Sequence, residues 1–442
     1  MIRSYLEAPD AGTLAAYDRL DLSALRKDLF AGIVDQGYPG DKLEDLSLVP
    51  RVLPNSYIGV IREACNNLTR ALINIASKNQ GTILEWLKPD RRWKKLIFDH
   101  GVFERTPDRL VGELRFDFAV CGPLTPDNPP RLMEVNGGAL GVIAHASFLP
   151  SLLHELVPGL EHLTTVDLRK AFGVLCSRVG PDIANICIGE YSWGEDILSD
   201  SVDGFHLLSM QPLEKMNLWP KLCAAEWVFD NEGFLQMKLD GTWKRMDGLR
   251  WARVLNEEDI ECYGRLLKRV TDSATTFMSP LRMDYVCHKG ILPLLCNSEF
   301  LTGQLGISNP SSVTQYVLPS WPLHDIGFPP REDYGRLVLK QNFGCSGKGV
   351  FVGKAISAME AQVSQLHEWT LQRRVELNQM YAPLLYSQDR PVRMDLAAFV
   401  YYDAIGGHVE HCEVAGLVSR GSSAQKVNLN LGGVAIPVLV KA

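Results

Sequence analysis

The spacing of apolar residues changes from a helical to an extended pattern near residue 110. Residues 57–77 place apolar side chains at intervals of three and four, which predicts an amphipathic helix packed on a larger body. From Arg115 onward, short alternating runs predict strands, first RFDFAV and then RLMEVN after a proline-rich turn. No helical pattern separates the two runs, so they are predicted to pair like a hairpin.

The middle of the chain has a different pattern of predicted helices and strands. Residues 166–179 predict a helix, residues 184–191 a buried strand, and the alternation around Asn231-Glu232-Gly233 two strands joined by a turn. A further helix is predicted near residues 257–277. We interpret this part as an inserted α/β lobe, in which several acidic and aromatic residues hint at an amine-bearing substrate: Glu190, Tyr191, Trp193, Trp243 and Asp247.

The strongest local feature is the run LKQNFGCSGKGV, which predicts a strand, a glycine-rich loop and a second strand. Gly344, Gly347 and Gly349 would let successive backbone amides turn toward phosphate oxygens, and Lys340 ends the first strand beside them. A P-loop is excluded, because Lys348 precedes a glycine and a strand where a P-loop has Ser or Thr and a helix. A tight β-hairpin without a ligand stays open as the alternative.

Four polar residues are predicted to converge where the strands RFDF and MEVN pair. Arg115 and Asp117 share one face of their strand, and Glu134 and Asn136 share a face by the same rule. Mg²⁺ favours such a set, in which one or two carboxylates are completed by other oxygens. The glycines after Asn136 leave room for a ligand. A surface ion pair between strand-end carboxylates and an arginine is the alternative.

A similar triplet, Arg-Met-Asp, occurs twice more. At residues 282–284, with Asn297 and Glu299 further on, it is a candidate second metal site. The intervening Leu-Pro-Leu-Leu predicts a buried helical turn, however, and the charges fall on inconsistent faces, which argues against that site. At residues 393–395 the triplet is predicted to begin a central strand near the nucleotide.

Composition narrows the class of protein. Hydrophobic residues make up 46% of the 442 residues and charged residues 22%, which is typical of a folded soluble protein of two or three lobes. The net charge of −7 gives no general attraction to nucleic acid. We find no apolar run that could span a bilayer, no signal-peptide pattern and no cysteine pair of zinc type, so a cytoplasmic protein with reduced thiols is expected.

In their order along the chain, these motifs resemble those of the circularly permuted ATP-grasp ligases, a group similar to eukaryotic-type glutathione synthetases and glutathionylspermidine synthetase. In an ordinary ATP-grasp protein the metal-binding E-x-N strand follows the glycine-rich loop, whereas here Glu134-Val135-Asn136 precedes Gly344. The resemblance covers roughly residues 110–150 and 280–440. It implies an α/β fold with a circularly permuted ATP-grasp core, an inserted α/β substrate-binding lobe and an N-terminal helical segment.

The resemblance also implies roles for individual residues. Cys287-His288-Lys289 is similar to the Asn-Lys helix of the family, which makes Lys289 the partner of Lys340 on the nucleotide. The glycine-rich loop lacks the carboxylate that glutathione synthetases place inside it, so Asp117 is expected to be a further metal ligand. The implied set is Arg115 and Arg420 for catalysis; Lys289, Lys340, Gly344, Ser346, Gly347, Gln372 and Val375 for ATP; and Asp117, Glu134 and Asn136 for Mg²⁺.

The sequence thus predicts an ATP- and Mg²⁺-dependent ligase that joins a small carboxylate to an amine through an acyl phosphate, with amino acids, peptides or polyamines as substrates. The implied domains are a helical support segment (1–105), a first part of the ATP-grasp core (106–165), a substrate-binding lobe (166–280) and a second part of the core with the lid and hinge (281–442). A homodimer stays open. So do two other functions, a catalytically silent nucleotide-binding scaffold and a small-molecule phosphotransferase.

Overall fold

The computed structural model describes residues 6–7, 11–35, 45–138, 143–179, 185–189, 217–219, 227–239, 241–251, 257–278, 280–344, 347, 349–424 and 433–441. Within them the fold is mixed α/β, and no helix is long and apolar enough to cross a membrane. The strands are β1 Asp45–Leu46, β2 Arg51–Pro54, β3 Arg109–Ala119, β4 Arg131–Asn136, β5 Leu163–Thr164, β6 Asn185–Gly189, β7 Asn217–Trp219, β8 Trp227–Phe229, β9 Leu235–Leu239, β10 Thr242–Met246, β11 Gly248–Trp251, β12 Thr276–Phe277, β13 Ser320–Pro322, β14 Leu337–Gln341, β15 Val350–Val352, β16 Trp369–Arg373, β17 Gln379–Ala382, β18 Arg390–Ile405, β19 His408–Ser422 and β20 Val434–Lys441.

The helices lie mostly outside the sheets and connect their strands. The α-helices are Ala11–Tyr17, Leu22–Asp35, Asn55–Ala76, Gln80–Trp86, Arg91–Lys94, Ile143–Leu156, Leu168–Val179, Glu257–Thr271, Leu281–Val286, Ile291–Cys296, Ser298–Gly303, Ser311–Thr314, Leu323–Ile326 and Ile356–Glu360. A π-helical turn at Lys95–Asp99 and 3₁₀ turns at Arg331–Arg336, Gly353–Ala355 and Leu366–Glu368 complete the set.

A large sheet with the order β1-β20-β19-β18-β3-β4 forms the centre of the fold. Its strands β3, β4, β18 and β19 are antiparallel neighbours, and β17 pairs with the beginning of β18, from Arg390 to Arg393. The strands β1 and β2 both join β20 in parallel. They belong to the N-terminal segment, for which the sequence predicted helices alone.

The predicted helix in residues 57–77 is present as Asn55–Ala76 and covers the large sheet. Its buried face includes Ile61 and Leu68, which share a core with Val400 of β18 and Leu417 of β19. The end of this helix is fixed by Arg282, whose guanidinium donates to the carbonyls of Ala76, Lys78, Phe103 and Arg105.

A smaller antiparallel sheet, β13-β16-β14-β15, carries the glycine-rich loop between β14 and β15. The predicted strand, loop and strand are therefore confirmed. Gly347 and Gly349 have φ angles of 73° and 71°, which residues with a Cβ atom rarely adopt, so the loop needs glycine at both positions.

The middle lobe contains a parallel sheet, β12-β11-β6-β7, and an antiparallel sheet, β10-β9-β8. The predicted turn around Asn231-Glu232-Gly233 is confirmed, since β8 and β9 pair on either side and Gly233 has a φ of 85°. The helix predicted near 257–277 ends at Thr271, because Thr276–Phe277 form β12. Of the residues expected to face an amine-bearing substrate, Trp243 is exposed and Asp247 Oδ1 lies 3.6 Å from Arg245 Nε. The other three, Glu190, Tyr191 and Trp193, lie outside the described residues.

Candidate active site

The pairing of β3 with β4 brings the four polar residues of RFDF and MEVN together. In the register of this pair Asp117 lies opposite Glu134, and Arg115 lies opposite Asn136. The alternation of the strand places Arg115 and Asp117 on one face, as their spacing predicted. The Asn136 amide donates to Asp117 Oδ2 at 3.4 Å, which links the two strands through side chains.

Asp117 is clasped by two arginines. Arg115 donates to both of its carboxylate oxygens, at 2.9 and 3.1 Å, and Arg420 Nη2 lies 2.9 Å from Oδ2. Burial by itself would raise the pKa of Asp117, but the two guanidinium groups outweigh burial and hold the pKa below its usual range. Asp117 is therefore an ionised carboxylate that fixes the direction of both arginines.

A second carboxylate, Asp395 on β18, holds Arg420 from the other side. It accepts from Arg420 Nε, Nη2 and the backbone amide, with the Nε bonds at 3.3 and 3.1 Å and the amide bond at 3.0 Å. Behind it, Arg51 donates to the carbonyl of Asp395 and pairs with Glu7. Burial raises the pKa of Asp395, although Arg420 opposes that rise. Sequence reasoning placed this residue near the nucleotide but gave it no role.

Two lysines, Lys289 and Lys340, contact β4, the strand that carries Glu134. Lys289 Nζ lies 2.9 Å from Glu134 Oε1 and also donates to the carbonyl of Gly344 in the glycine-rich loop. Lys340 Nζ donates to the carbonyl of Met133 at 2.9 Å. Both lysines are buried, with exposed fractions of 5% and 6%. The lysines thus connect β4 with the glycine-rich loop.

Burial and neighbouring charges shift the pKa values of Lys340 and Glu134. Burial lowers the pKa of Lys340 to about 8, against the opposing field of Glu134. Burial would raise the pKa of Glu134, but Lys289 and Lys340 outweigh it and leave the pKa lowered. At neutral pH Lys340 is therefore mostly protonated and Glu134 is ionised.

Two of the residues predicted to bind ATP, Gln372 and Val375, lie on β16 and just beyond its end. Gln372 is buried and donates to Ser320 Oγ at 3.1 Å and to the carbonyl of Met133 at 3.4 Å, so it stands next to Lys340. Val375 follows the end of β16 and is partly buried. Gly344 and Gly347 lie in the glycine-rich loop, and Ser346 lies outside the described residues.

The stem of the glycine-rich loop is anchored from outside its own sheet. The ring of Phe343 lies 4.1 Å from that of His288, centroid to centroid, and Arg92 donates to the Phe343 carbonyl at 3.0 Å. The amide of Lys289 donates to the carbonyl of Asn342 at 3.0 Å. The segment around Lys289 therefore fixes both the loop and one of its charges.

The charges of the site favour an anionic ligand. Arg115, Arg420, Lys289 and Lys340 give four positive charges against three from Asp117, Glu134 and Asp395, which leaves one positive charge in a buried setting. Such a surplus next to backbone amides of a glycine-rich loop suits phosphate and carboxylate groups.

The donor set fits a magnesium ion only in part. Among the described residues, no group of three or more His, Cys, Asp and Glu side chains is placed to hold a metal ion. Both oxygens of Asp117 contact arginines, which leaves Glu134 Oε2 and the amide oxygen of Asn136. Mg²⁺ commonly takes one or two protein oxygens and completes its shell with phosphate oxygens and waters. The residues present therefore fit an ion that arrives with phosphates.

The candidate second metal site does not assemble. Arg282 is committed to four backbone carbonyls, and Glu299 is exposed on the helix Ser298–Gly303. The Leu-Pro-Leu-Leu stretch is buried in the helix Ile291–Cys296, as the sequence predicted.

Comparison with known proteins shows which fold this arrangement belongs to. No protein-family model matches the sequence, and no curated protein matches it. The structure resembles a glutathione synthetase-like effector from Globodera pallida in its apo form, with a TM-score of 0.70 and 11% identity, over 94% of this chain and 96% of that chain. A protein provisionally named gamma-glutamylcysteine synthetase from Methylobacillus flagellatus KT matches over 86% of each chain with 10% identity, but its TM-score of 0.37 is too low to inform the fold. The chain thus has the fold of a glutathione synthetase-like protein, and the resemblance inferred from its motifs is confirmed at that level.

Proposed function

We propose that the chain is an ATP- and magnesium-dependent ligase with a circularly permuted ATP-grasp core, which joins a carboxylate to an amine through an acyl phosphate. The observation that carries the proposal is the register that places Asp117, held by Arg420 and Arg115, opposite Glu134. Glu134 in turn contacts Lys289, which reaches the glycine-rich loop. The fold shared with a glutathione synthetase-like effector supports it.

In this proposal the glycine-rich loop, Lys289 and Lys340 bind the phosphates of ATP, and Gln372 and Val375 border the adenine. Glu134 and Asn136 would hold Mg²⁺, and Asp117 lies opposite Glu134 on the neighbouring strand. When bound there, Mg²⁺ would supply positive charge that offsets the charge of the transferring phosphoryl group. The lysines exchange their present partners, Glu134 and backbone carbonyls, for phosphate oxygens.

The chemistry consists of two substitutions. A carboxylate oxygen of the first substrate attacks the γ-phosphorus, the bond to ADP breaks, and an acyl phosphate forms. Arg115 stabilises charge on the phosphoryl group, and Arg420 grips the substrate, which are bidentate tasks that suit arginine. The amine nitrogen then attacks the acyl carbon, loses a proton, and expels phosphate to leave an amide. Closure of the loop keeps water from the acyl phosphate.

The test is ADP release from ATP and Mg²⁺ with pooled amino acids, peptides and polyamines. Release that requires both a carboxylate and an amine supports a ligase. A phosphorylated product that accumulates without an amine supports the phosphotransferase, and ATP binding without turnover in any pool supports the silent scaffold. Glu134→Ala should abolish turnover, whereas Glu410→Ala, at an exposed position on β19, should not change it.

A further inference from the structure

The carboxylate of Asp284 lies beside the site and has no role in the proposed mechanism. Asp284 lies on the helix Leu281–Val286, which packs against the two glycines that follow Asn136. A Cβ atom added at Gly138 would lie 3.1 Å from Asp284 Oδ1, and one added at Gly137 would lie 2.5 Å from the carbonyl oxygen of Met283. The absence of side chains at both glycines is what lets Asp284 reach the end of β4.

Asp284 has no compensating partner. Within the described residues, its carboxylate makes no ion pair and accepts no hydrogen bond. Arg92 is the cation whose field lowers its pKa, but Arg92 is committed to Asp90 at 2.9 Å and to the carbonyl of Phe343. The Asp284 side chain is only partly buried, so a ligand can reach it.

This situation contrasts with that of every other acid in the site. Asp117 and Asp395 contact arginines, and Glu134 contacts Lys289. Burial raises the pKa of Asp284 to about 6 against the field of Arg92, so most of it is ionised at neutral pH, and within the described residues no cation contacts it directly. A partly exposed carboxylate that makes no direct contact with a cation among the described residues is complementary to a cationic group on a ligand.

We propose that Asp284 binds the ammonium group of the acceptor substrate at the end of β4, beside Gly138. The inference rests on the proposed function and adds the residue that recognises the acceptor, an alkylamine that is protonated at neutral pH. Arg115 and Arg420 take the anionic groups of the reaction, and Asp284 takes the cationic one. The bond from ammonium to carboxylate holds the nitrogen near the strand end where the acyl phosphate forms, and the Asp284 carboxylate accepts the proton that the ammonium must lose before the neutral amine attacks.

Hydroxylamine separates this role from the proposed function, because it is a nucleophile that is uncharged at neutral pH and needs no ammonium site. With ATP, Mg²⁺ and pooled carboxylates, Asp284→Asn should keep hydroxamate formation while the KM for spermidine or an amino acid rises on the order of tenfold or more. Glu299→Gln removes an exposed carboxylate on the helix Ser298–Gly303 and should change neither value. Equal losses with hydroxylamine and with amines, or no change with either, overturns the inference.

A binding measurement covers the case in which the wild-type chain makes no hydroxamate, which would refute the ligase alone. Spermidine is titrated calorimetrically into the wild type and into Asp284→Asn, with a nonhydrolysable ATP analogue present. Binding that weakens on the order of tenfold or more in the variant supports the ammonium site. Equal binding by the two proteins, or binding by neither, overturns it.

Discussion

Lys289 Nζ lies 2.9 Å from Glu134 Oε1 while its second bond reaches the carbonyl of Gly344. One side chain therefore joins the strand that offers metal-binding oxygens to the loop that offers phosphate-binding amides. Lys289 is only 5% exposed and the Glu134 side chain 28% exposed, so solvent screens the attraction between them only in part. Phosphates that enter the site compete with Glu134 for this lysine.

Removal of this charge should weaken ATP binding more than it weakens the fold. For Lys289→Gln we expect an ATP dissociation constant raised roughly tenfold to a hundredfold, because a charge-assisted bond to phosphate is lost. Calorimetric titration of ATP measures it. Lys354→Gln, on the exposed part of the same lobe as the glycine-rich loop, is the control and should bind ATP like the wild type. Unchanged affinity in Lys289→Gln would remove this lysine from the nucleotide site.

Arg420 should carry a large share of local stability. Arg420→Ala leaves Asp117 and Asp395 buried with one cation fewer, and removal of one partner of a buried pair costs about 3–5 kcal/mol. Urea denaturation gives the change in the free energy of unfolding. The comparison is Arg331→Ala, whose ion pair with Glu360 is exposed and is worth about 0–1 kcal/mol. Similar losses of unfolding free energy in the two variants would contradict a buried ion pair of Arg420 with Asp117 and Asp395.

ATP binding should be linked to proton uptake near pH 8. Burial lowers the pKa of Lys340 to about 8, and a polyanion beside it would raise that pKa again. The free protein therefore gains a proton when ATP binds, and its affinity for ATP falls as the pH rises above about 8. Calorimetry in buffers of different ionisation enthalpy measures the uptake. Lys340→Met should abolish it, and an uptake that persists in that variant would assign the proton to another group.

Asp284 should lower stability at neutral pH. Its pKa in the folded protein is about 6 and its ordinary value is 3.8. The contribution of Asp284 to the free energy of unfolding is therefore fully present below about pH 4 and is lost as the pH rises through 6. The difference corresponds to up to about 3 kcal/mol. Asp284→Asn should therefore be more stable than the wild type at pH 7 and similar to it near pH 4. Thermal unfolding across this range checks the sign, and a variant that is less stable at pH 7 would show that the carboxylate has a stabilising partner.

The glycine that follows Asn136 should tolerate no side chain. In Gly137→Ala the new methyl group would lie 2.5 Å from the carbonyl oxygen of Met283, so strand or helix must move, at a cost of about 1–3 kcal/mol. Gly59 is the matched control, since it lies in the helix Asn55–Ala76 with no atom near its Cβ position, and alanine there should stabilise by about 0.5–1 kcal/mol. Denaturation of both variants should give opposite signs.

The parts of the site that the sequence predicted are those set by local pattern. The alternation in RFDF and MEVN fixes which residues share a face, and glycines between two apolar runs define the loop. Nothing local indicates that Arg420 lies between Asp117 and Asp395, because that contact depends on β18 pairing with both β3 and β19. The role of Asp395 was missed for this reason.

Short strands and helix boundaries were missed for a different reason. Asp45–Leu46 is too short for any alternation to appear, and it is a strand only because β20 lies beside it. The helix predicted near 257–277 is strongly amphipathic, but Thr276 and Phe277 pair with β11, and this pairing decides their conformation. In both cases tertiary contacts override the local preference of the chain.

The order of strands in the large sheet has a consequence for biosynthesis. Asp117 leaves the ribosome long before Asp395 and Arg420, and β3 has β4 as its partner until β18 is made. Contacts between segments so far apart in sequence form slowly, because the entropy of closing a long loop must be lost before the contacts can stabilise the fold. The nascent chain thus carries Asp117 and Arg115 on an open sheet edge until β18 and β19 have been made. Chaperone dependence and sensitivity to C-terminal truncation are the expected cellular signs of that delay.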